Sequence, residues 1–220
     1  MTTLTTTPLA PLLDRLLKEA DETSPSESPA LAELFYDRDR LMLSKTDYLN
    51  FYSRLKDFPL AVSRQTGVLL YMLARGCRAQ NIVEFGTSFG ISTLCLAAAL
   101  RDNGGGRLIT SEFESSKVVR ARENLAAGGL IDLVEFREGD ALKTLSVDLP
   151  ESIDLVLLDG AKSLYSEILS LVESRLRLGA FVIADNTDYS PEYMARVCSP
   201  EAGYLSLSLA DDVEVSMRLG

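Results

Sequence analysis

Asp159 and Lys162, three residues apart, and the later pair Asp185-Asn186 are the side chains of this sequence best suited to chemistry. Each group follows a short apolar run, IDLVLL at 153–158 and AFVIA at 180–184, of the kind that forms a buried strand. If those runs are parallel strands, their carboxyl ends face one crevice, where open α/β sheets bind ligands. Two carboxylates and an amide oxygen are hard donors that suit an octahedral Mg²⁺ with positions left for water or substrate. A lysine beside such an ion has its ammonium form disfavoured by like charge, which moves it toward general-base duty. Singly, each residue is better explained as a solvated or capping acid or a surface charge. Their joint placement at adjacent strand ends favours the metal.

A second constellation is Glu84-Phe85-Gly86-Thr87-Ser88-Phe89-Gly90, where the run NIVEF (81–85) turns into a helical pattern. Glycines there let backbone approach a ligand, and the following helix start directs free N–H groups over the strand ends. Glu112 ends the run RLITSE (107–112) and is placed to accept hydrogen bonds from both hydroxyls of a ribose. Asp140, in Glu138-Gly139-Asp140-Ala141 after a third run, is close enough in such a topology to meet an adenine edge. The pattern predicts a nucleoside cofactor. The turn is E-x-G-x-x-x-G, not the G-x-G-x-x-G that brings backbone against a pyrophosphate, which favours S-adenosylmethionine over NAD. The plain alternative, glycines serving only a tight connection, loses ground once Glu112 and Asp140 stand in register.

Composition narrows the chemistry. The chain has 220 residues, a net charge of −10 and no histidine, which removes histidine bases, His-based triads and His-rich zinc sites. The acidity argues against a nucleic-acid partner. No apolar run approaches a bilayer span, and the Thr-rich start lacks the features of a secretory signal. Cys77, Cys95 and Cys198 lack metal-like spacing, with Cys95 expected as a buried thiol. These features predict a cytoplasmic protein without membrane contact.

The elements that must position these residues are alternating strands and helices. Strands are expected at 81–85, 107–112, 132–137, 153–158 and 180–184, with helices near 90–101, 115–127, 141–146 and 163–176. Residues 204–219 carry two period-two runs around Asp211-Asp212, an antiparallel hairpin. The expected fold is α/β: a Rossmann-like, doubly wound, mostly parallel seven-stranded sheet with a C-terminal antiparallel hairpin. Before it, helices are expected at 8–20, across 30–57 and from Ser63 to Gly76, with a polar break at 23–29. Residues 1–60 read as an N-terminal helical extension, a cap or dimerisation arm, and 61–220 as the catalytic domain. Tyr36, Tyr48, Phe51 and Tyr52 are candidates for an aromatic acceptor pocket, with core packing the default.

From about Ser63 to Leu219 the chain resembles the cation-dependent O-methyltransferases, the catechol and caffeoyl-coenzyme A O-methyltransferases and their bacterial relatives. The stretches that carry the resemblance are SRQTG, VEFGTSFGIST, LITSEFESSKVVRARENL, EGDAL, LVLLDGAKSLY and FVIADN. The resemblance implies Asp159, Asp185 and Asn186 as ligands of Mg²⁺ or another divalent cation, with Lys162 as base beside Asp159. It implies Glu112 on the ribose, with Gly86, Ser88 and Ser92 around the donor and Ser63 and Asp140 helping to enclose it. Glu84, Thr87, Gly90, Phe113, Ala141 and Asp159 complete the expected donor site. The implied acceptor is a small aromatic molecule with vicinal hydroxyls, and a homodimer is expected. Two departures bear on the acceptor: Gly160-Ala161 replaces bulkier or polar residues, and the stretch after Asn186 is short. A metal-independent small-molecule methyltransferase, an RNA-modifying relative and a non-catalytic donor-binding protein remain as alternatives.

Overall fold

The computed structural model describes residues 1–23, 25–209 and 212–220. Leucines at helical spacing make α1 (Leu9–Glu22) amphipathic, and Leu9, Leu12, Leu13 and Leu16 are all buried. The helix expected over 30–57 is instead three short ones: α2 (Ala32–Tyr36), α3 (Arg38–Leu43) and α4 (Tyr48–Arg54). Ser44 causes the second break. Its backbone is extended and its Oγ accepts from the N–H of Asp47 at 3.0 Å, a local bond that competes with helix continuation. Helix α5 (Arg64–Gly76) starts at an N-cap, Ser63, whose Oγ accepts from Thr66 N at 3.0 Å.

The alternating unit follows as β1 (Asn81–Phe85), α6 (Ile91–Asp102), β2 (Arg107–Glu112), α7 (Ser115–Ala127), β3 (Val134–Glu138) and α8 (Ala141–Thr144). It continues with β4 (Ile153–Leu158), α9 (Tyr165–Val172), β5 (Leu176–Ala184), α10 (Pro191–Val197), β6 (Tyr204–Leu209) and β7 (Val213–Arg218). The sheet order is β3-β2-β1-β4-β5-β7-β6. The first five strands are parallel, and β7 runs antiparallel to both β5 and β6. Strand order reverses between β1 and β4, so a crevice opens at their carboxyl ends.

Two boundaries differ from the sequence reading. The helix expected to reach 176 stops at Val172, and β5 begins at Leu176 with a register irregularity against β4. Arg177 stabilises that early start, donating from Nε to Asp154 Oδ1 at 2.5 Å and from Nη2 to the Cys77 carbonyl at 2.9 Å. Residues 131–133 form a 3₁₀ turn ahead of β3. The C-terminal hairpin forms as expected, although Asp211 of its turn lies outside the described residues, as does Ser24 of the polar break.

A core lies on each face of the sheet. One joins α1, α5 and α6 to the strands; the other joins α9, α10 and α8. Helix α6 is buried from Ile91 to Leu100 because the sheet and the α1/α5 layer enclose it. Each fully buried leucine contributes about 1.5–3 kcal/mol, so α1 is part of the main core. Residues 31–55 form a third cluster around Leu31, Leu34, Leu41, Met42, Phe51 and Leu55, packed against Tyr189. No helix among the described residues is long and apolar enough to cross a membrane.

Candidate active site

The crevice at the switch point holds an open-sided cavity. Seven residues of the expected site line it: Gly86, Ser88, Glu112, Phe113, Asp140, Ala141 and Asp159. At Gly86 the chain turns with φ 101°, and a Cβ there would lie 2.5 Å from the Asp159 carbonyl oxygen. Only glycine allows β1 and β4 to end this close together. The Glu112 carboxylate is anchored by backbone, accepting from Ser88 N at 2.9 Å and from Glu114 N at 3.0 Å. Burial raises its pKa, and Lys117 and the N–H donors oppose that rise. Asp140 caps α8 by accepting from Leu142 N at 3.0 Å. A carboxylate fixed on backbone and a glycine turn with no room for a side chain fit a nucleoside donor.

Glu84, Thr87, Gly90 and Ser92 serve the turn from behind. Glu84 is fully buried and accepts from Ser92 Oγ at 2.7 Å, Thr93 Oγ1 at 2.6 Å and Thr110 Oγ1 at 2.6 Å. Burial pushes its pKa up to about 7, against the pull of those hydroxyls. Thr87 Oγ1 continues the network to Thr110 Oγ1 at 2.6 Å, and Gly90 is the N-cap of α6. Thr87, Ser88 and Ser92 line a narrow crevice with Leu60, Ala61 and Val62. Ser63, solvent-exposed at the start of α5, lines a separate cavity together with Asp185 and Asn186.

The expected reaction residues meet at the ends of β4 and β5. Lys162 Nζ lies 2.6 Å from Asp159 Oδ1, with both side chains largely buried. Burial works against the ammonium, but Asp159, Tyr165 and Tyr52 outweigh it and hold the lysine pKa well above its ordinary value. Lys162 is thus a charged partner of Asp159 in the absence of a cation. The Asp185 carboxyl is pushed up to about 7 by burial and by the neighbouring Asp159. Asn186 adopts a left-handed backbone (φ 52°) and donates from Nδ2 to Asp212 Oδ2 at 3.0 Å. Tyr165 fixes the end of β5, its hydroxyl donating to the Asp185 carbonyl at 2.8 Å.

Two carboxylates and an amide oxygen at paired strand ends fit a hard divalent cation in donor chemistry. No group of three or more His, Cys, Asp or Glu side chains is placed for a metal among the described residues, so such a site needs the Asn186 amide.

The arm supplies two of its four aromatic candidates, together with two leucines the sequence did not single out for the site. Tyr48, Leu49, Tyr52 and Leu60 line the cavity, whereas Phe51 belongs to the arm's own core and Tyr36 is 91% exposed. The Tyr52 hydroxyl is buried without a hydrogen-bond partner among the described residues. The Gly160 departure also has its explanation: a Cβ there would fall 2.5 Å from the Phe85 ring, which occupies the space. Lys117, buried in the same cavity, carried no signal beyond its place in the first turn after Glu112.

This sheet order, with its reversed last strand and a cavity at the switch point, is that of the Rossmann-like methyltransferases. A family model described as a methyltransferase domain matches residues 83–187. The chain is 35% identical over 130 residues to the catechol O-methyltransferase of Niastella koreensis, covering 58% of each protein. It therefore spans less than two thirds of that relative's length. With the catechol O-methyltransferase of Mycobacterium tuberculosis it shares 31% identity over 166 residues, 76% of this chain and 68% of that one. Among solved structures it resembles the O-methyltransferase TomG of Streptomyces achromogenes, involved in tomaymycin synthesis and solved with S-adenosylmethionine. There the TM-score is 0.62 at 30% identity, covering 76% of this chain and 86% of that one. The chain belongs to the family of S-adenosylmethionine-dependent O-methyltransferases that includes the catechol O-methyltransferases.

Proposed function

We propose that the chain transfers a methyl group from S-adenosylmethionine to one hydroxyl of a small aromatic acceptor with vicinal hydroxyls. The observation that carries this reading is the meeting of Asp159, Lys162 and Asp185 beside the cavity lined by Glu112 and Asp140. The donor supplies a methyl group on a positively charged sulfur, which an anionic oxygen displaces in line. Glu112 holds the ribose, Asp140 and Ala141 border the adenine, and Gly86 leaves room for the donor against the end of β1. The arm lines the open-sided cavity with Tyr48, Tyr52 and Leu49, whose apolar surface would displace water around a bound donor and strengthen the electrostatic contacts there.

Asp159, Asp185 and Asn186 are the residues that would hold a divalent cation. Bound there, it would lower the pKa of an acceptor hydroxyl and take up the Asp159 charge that otherwise pairs with Lys162. Lys162, freed from that pair, is the group positioned to accept the hydroxyl proton. A metal-independent reading draws on the 2.6 Å Lys162–Asp159 pair itself, because an ammonium at that place already supplies positive charge to an acceptor oxygen. The exposed Leu205 and Leu207 of β6 make the sheet edge our candidate for a homodimer contact, which sedimentation of a Leu207→Glu variant checks.

The regiochemistry of methylation of a 3,4-dihydroxylated aromatic acid, read by NMR, tests the acceptor reading. One monomethyl isomer in large excess is expected; an even mixture of both contradicts a fixed acceptor orientation.

A further inference from the structure

The donor cavity is strongly acidic. Glu112, Glu114, Asp140 and Asp159 line it, and Lys117 is the one cationic residue among its described lining. Lys117 sits in the first turn of α7, just after the strand that ends at Glu112, and is only 4% exposed. A lysine is rarely buried to that extent unless paired. Yet Lys117 makes no ion pair within bonding distance among the described residues, and its Nζ lies over the Phe89 ring, 5.9 Å from the centroid. Phe89 belongs to the glycine turn. Arg120, one helical turn on, also lies over that ring, and Asn124 Nδ2 donates to the Phe89 carbonyl at 2.9 Å. One face of α7 thus clasps the donor turn and places an ammonium inside the cavity.

We propose that Lys117 is a positioning residue for the donor: its buried ammonium, in the cavity that Glu112 lines, keeps the backbone-anchored carboxylate ionised for the ribose hydroxyls. This rests on the reading of Glu112 as the ribose acid. Both Glu112 oxygens already accept a backbone N–H, so the carboxylate is fixed in place. Its charge is the variable quantity, since burial raises the Glu112 pKa and Lys117 is foremost among the groups that lower it. Burial likewise lowers the Lys117 pKa, opposed by Glu112, then Glu114, Asp159 and Asp57. Asp140, Tyr48 and Tyr52 are the remaining titratable groups that line the space. A carboxylate accepts ribose O–H bonds more strongly than a carboxylic acid, so loss of Lys117 weakens donor binding most where Glu112 takes up a proton.

Donor and demethylated product share the ribose and differ in charge at sulfur. A ribose effect therefore weakens both equally, whereas a changed field at the sulfonium separates them. The experiment is calorimetric titration of S-adenosylmethionine and S-adenosylhomocysteine into the wild type, Lys117→Met, Lys117→Arg and Glu112→Gln, at about pH 6 and about pH 8. Relative to wild type, Lys117→Met is expected to weaken both ligands by the same factor, about tenfold at the lower pH and clearly less at the higher one. Lys117→Arg, which keeps the charge if it is accommodated, restores most of the affinity. Glu112→Gln weakens both ligands at both pH values. Unchanged affinity in Lys117→Met overturns the proposal, as does an equal loss at both pH values that arginine does not restore, which is a packing effect. Wild-type affinity in Glu112→Gln overturns the ribose reading itself, and so separates the two failures.

Discussion

Lys162 Nζ and Asp159 Oδ1 stand 2.6 Å apart at the end of β4, a nearly buried ion pair at the mouth of the donor cavity. Removing one partner of such a pair leaves an unpaired buried charge, at a cost of about 3–5 kcal/mol. Lys162→Met and Asp159→Asn are each expected to lose stability of that order, and the double variant less than the sum. Urea unfolding of the four proteins in a double-mutant cycle measures the coupling. A coupling near zero would mean that the pair is not formed in solution.

Glu84 makes stability depend on pH. Its pKa is raised from 4.5 to about 7 in the folded chain by burial, so the folded state binds the extra proton between those values. That contribution is fully present below the unfolded pKa and is lost as pH rises through about 7, amounting to at most about 3 kcal/mol. Glu84→Gln, which keeps an acceptor for the surrounding hydroxyls, is expected to flatten the stability curve across this window. Urea midpoints from acid to neutral pH check it, and an unaltered slope counts against the buried network.

Gly160 and Phe85 are complementary. A Cβ at 160 would sit 2.5 Å from the ring, against a core aromatic that also packs edge-on to Tyr165. Gly160→Ala is expected to lose about 1–3 kcal/mol through overpacking, and Phe85→Leu in the same chain to restore part of it. Thermal unfolding of the single and double variants decides whether the two positions are coupled.

Helix α1 shares a core with α6 and α7, and Leu16 is 2% exposed within it. Leu16→Ala is expected to destabilise the whole chain by about 2–5 kcal/mol in one cooperative transition. A separate early transition would show the arm to be an independent unit.

The residues that make the site legible in sequence act at strand ends, where topology alone fixes their meeting. Gly86, Glu112, Asp140 and Asp159 line one cavity because β1, β2, β3 and β4 end at the same edge of the sheet. Tyr48 and Tyr52 were legible only as two of four aromatic candidates, and Lys117 carried no signal, because tertiary packing, not spacing, turns these three inward. Ser44 broke an apparently continuous helix through a side-chain bond that apolar periodicity does not register. Gly160 looked like a departure until Phe85 was found filling its place.

The central claim is tested most directly by transfer of a labelled methyl group from S-adenosylmethionine to a catechol acceptor, measured with Mg²⁺ and with EDTA. Magnesium-dependent label on the acceptor oxygen, lost in Asp159→Asn, is the predicted result. Transfer that resists EDTA would contradict the cation reading in favour of the Lys162–Asp159 pair alone. The absence of transfer to any vicinal diol, in a protein that binds S-adenosylhomocysteine, would contradict the proposed activity.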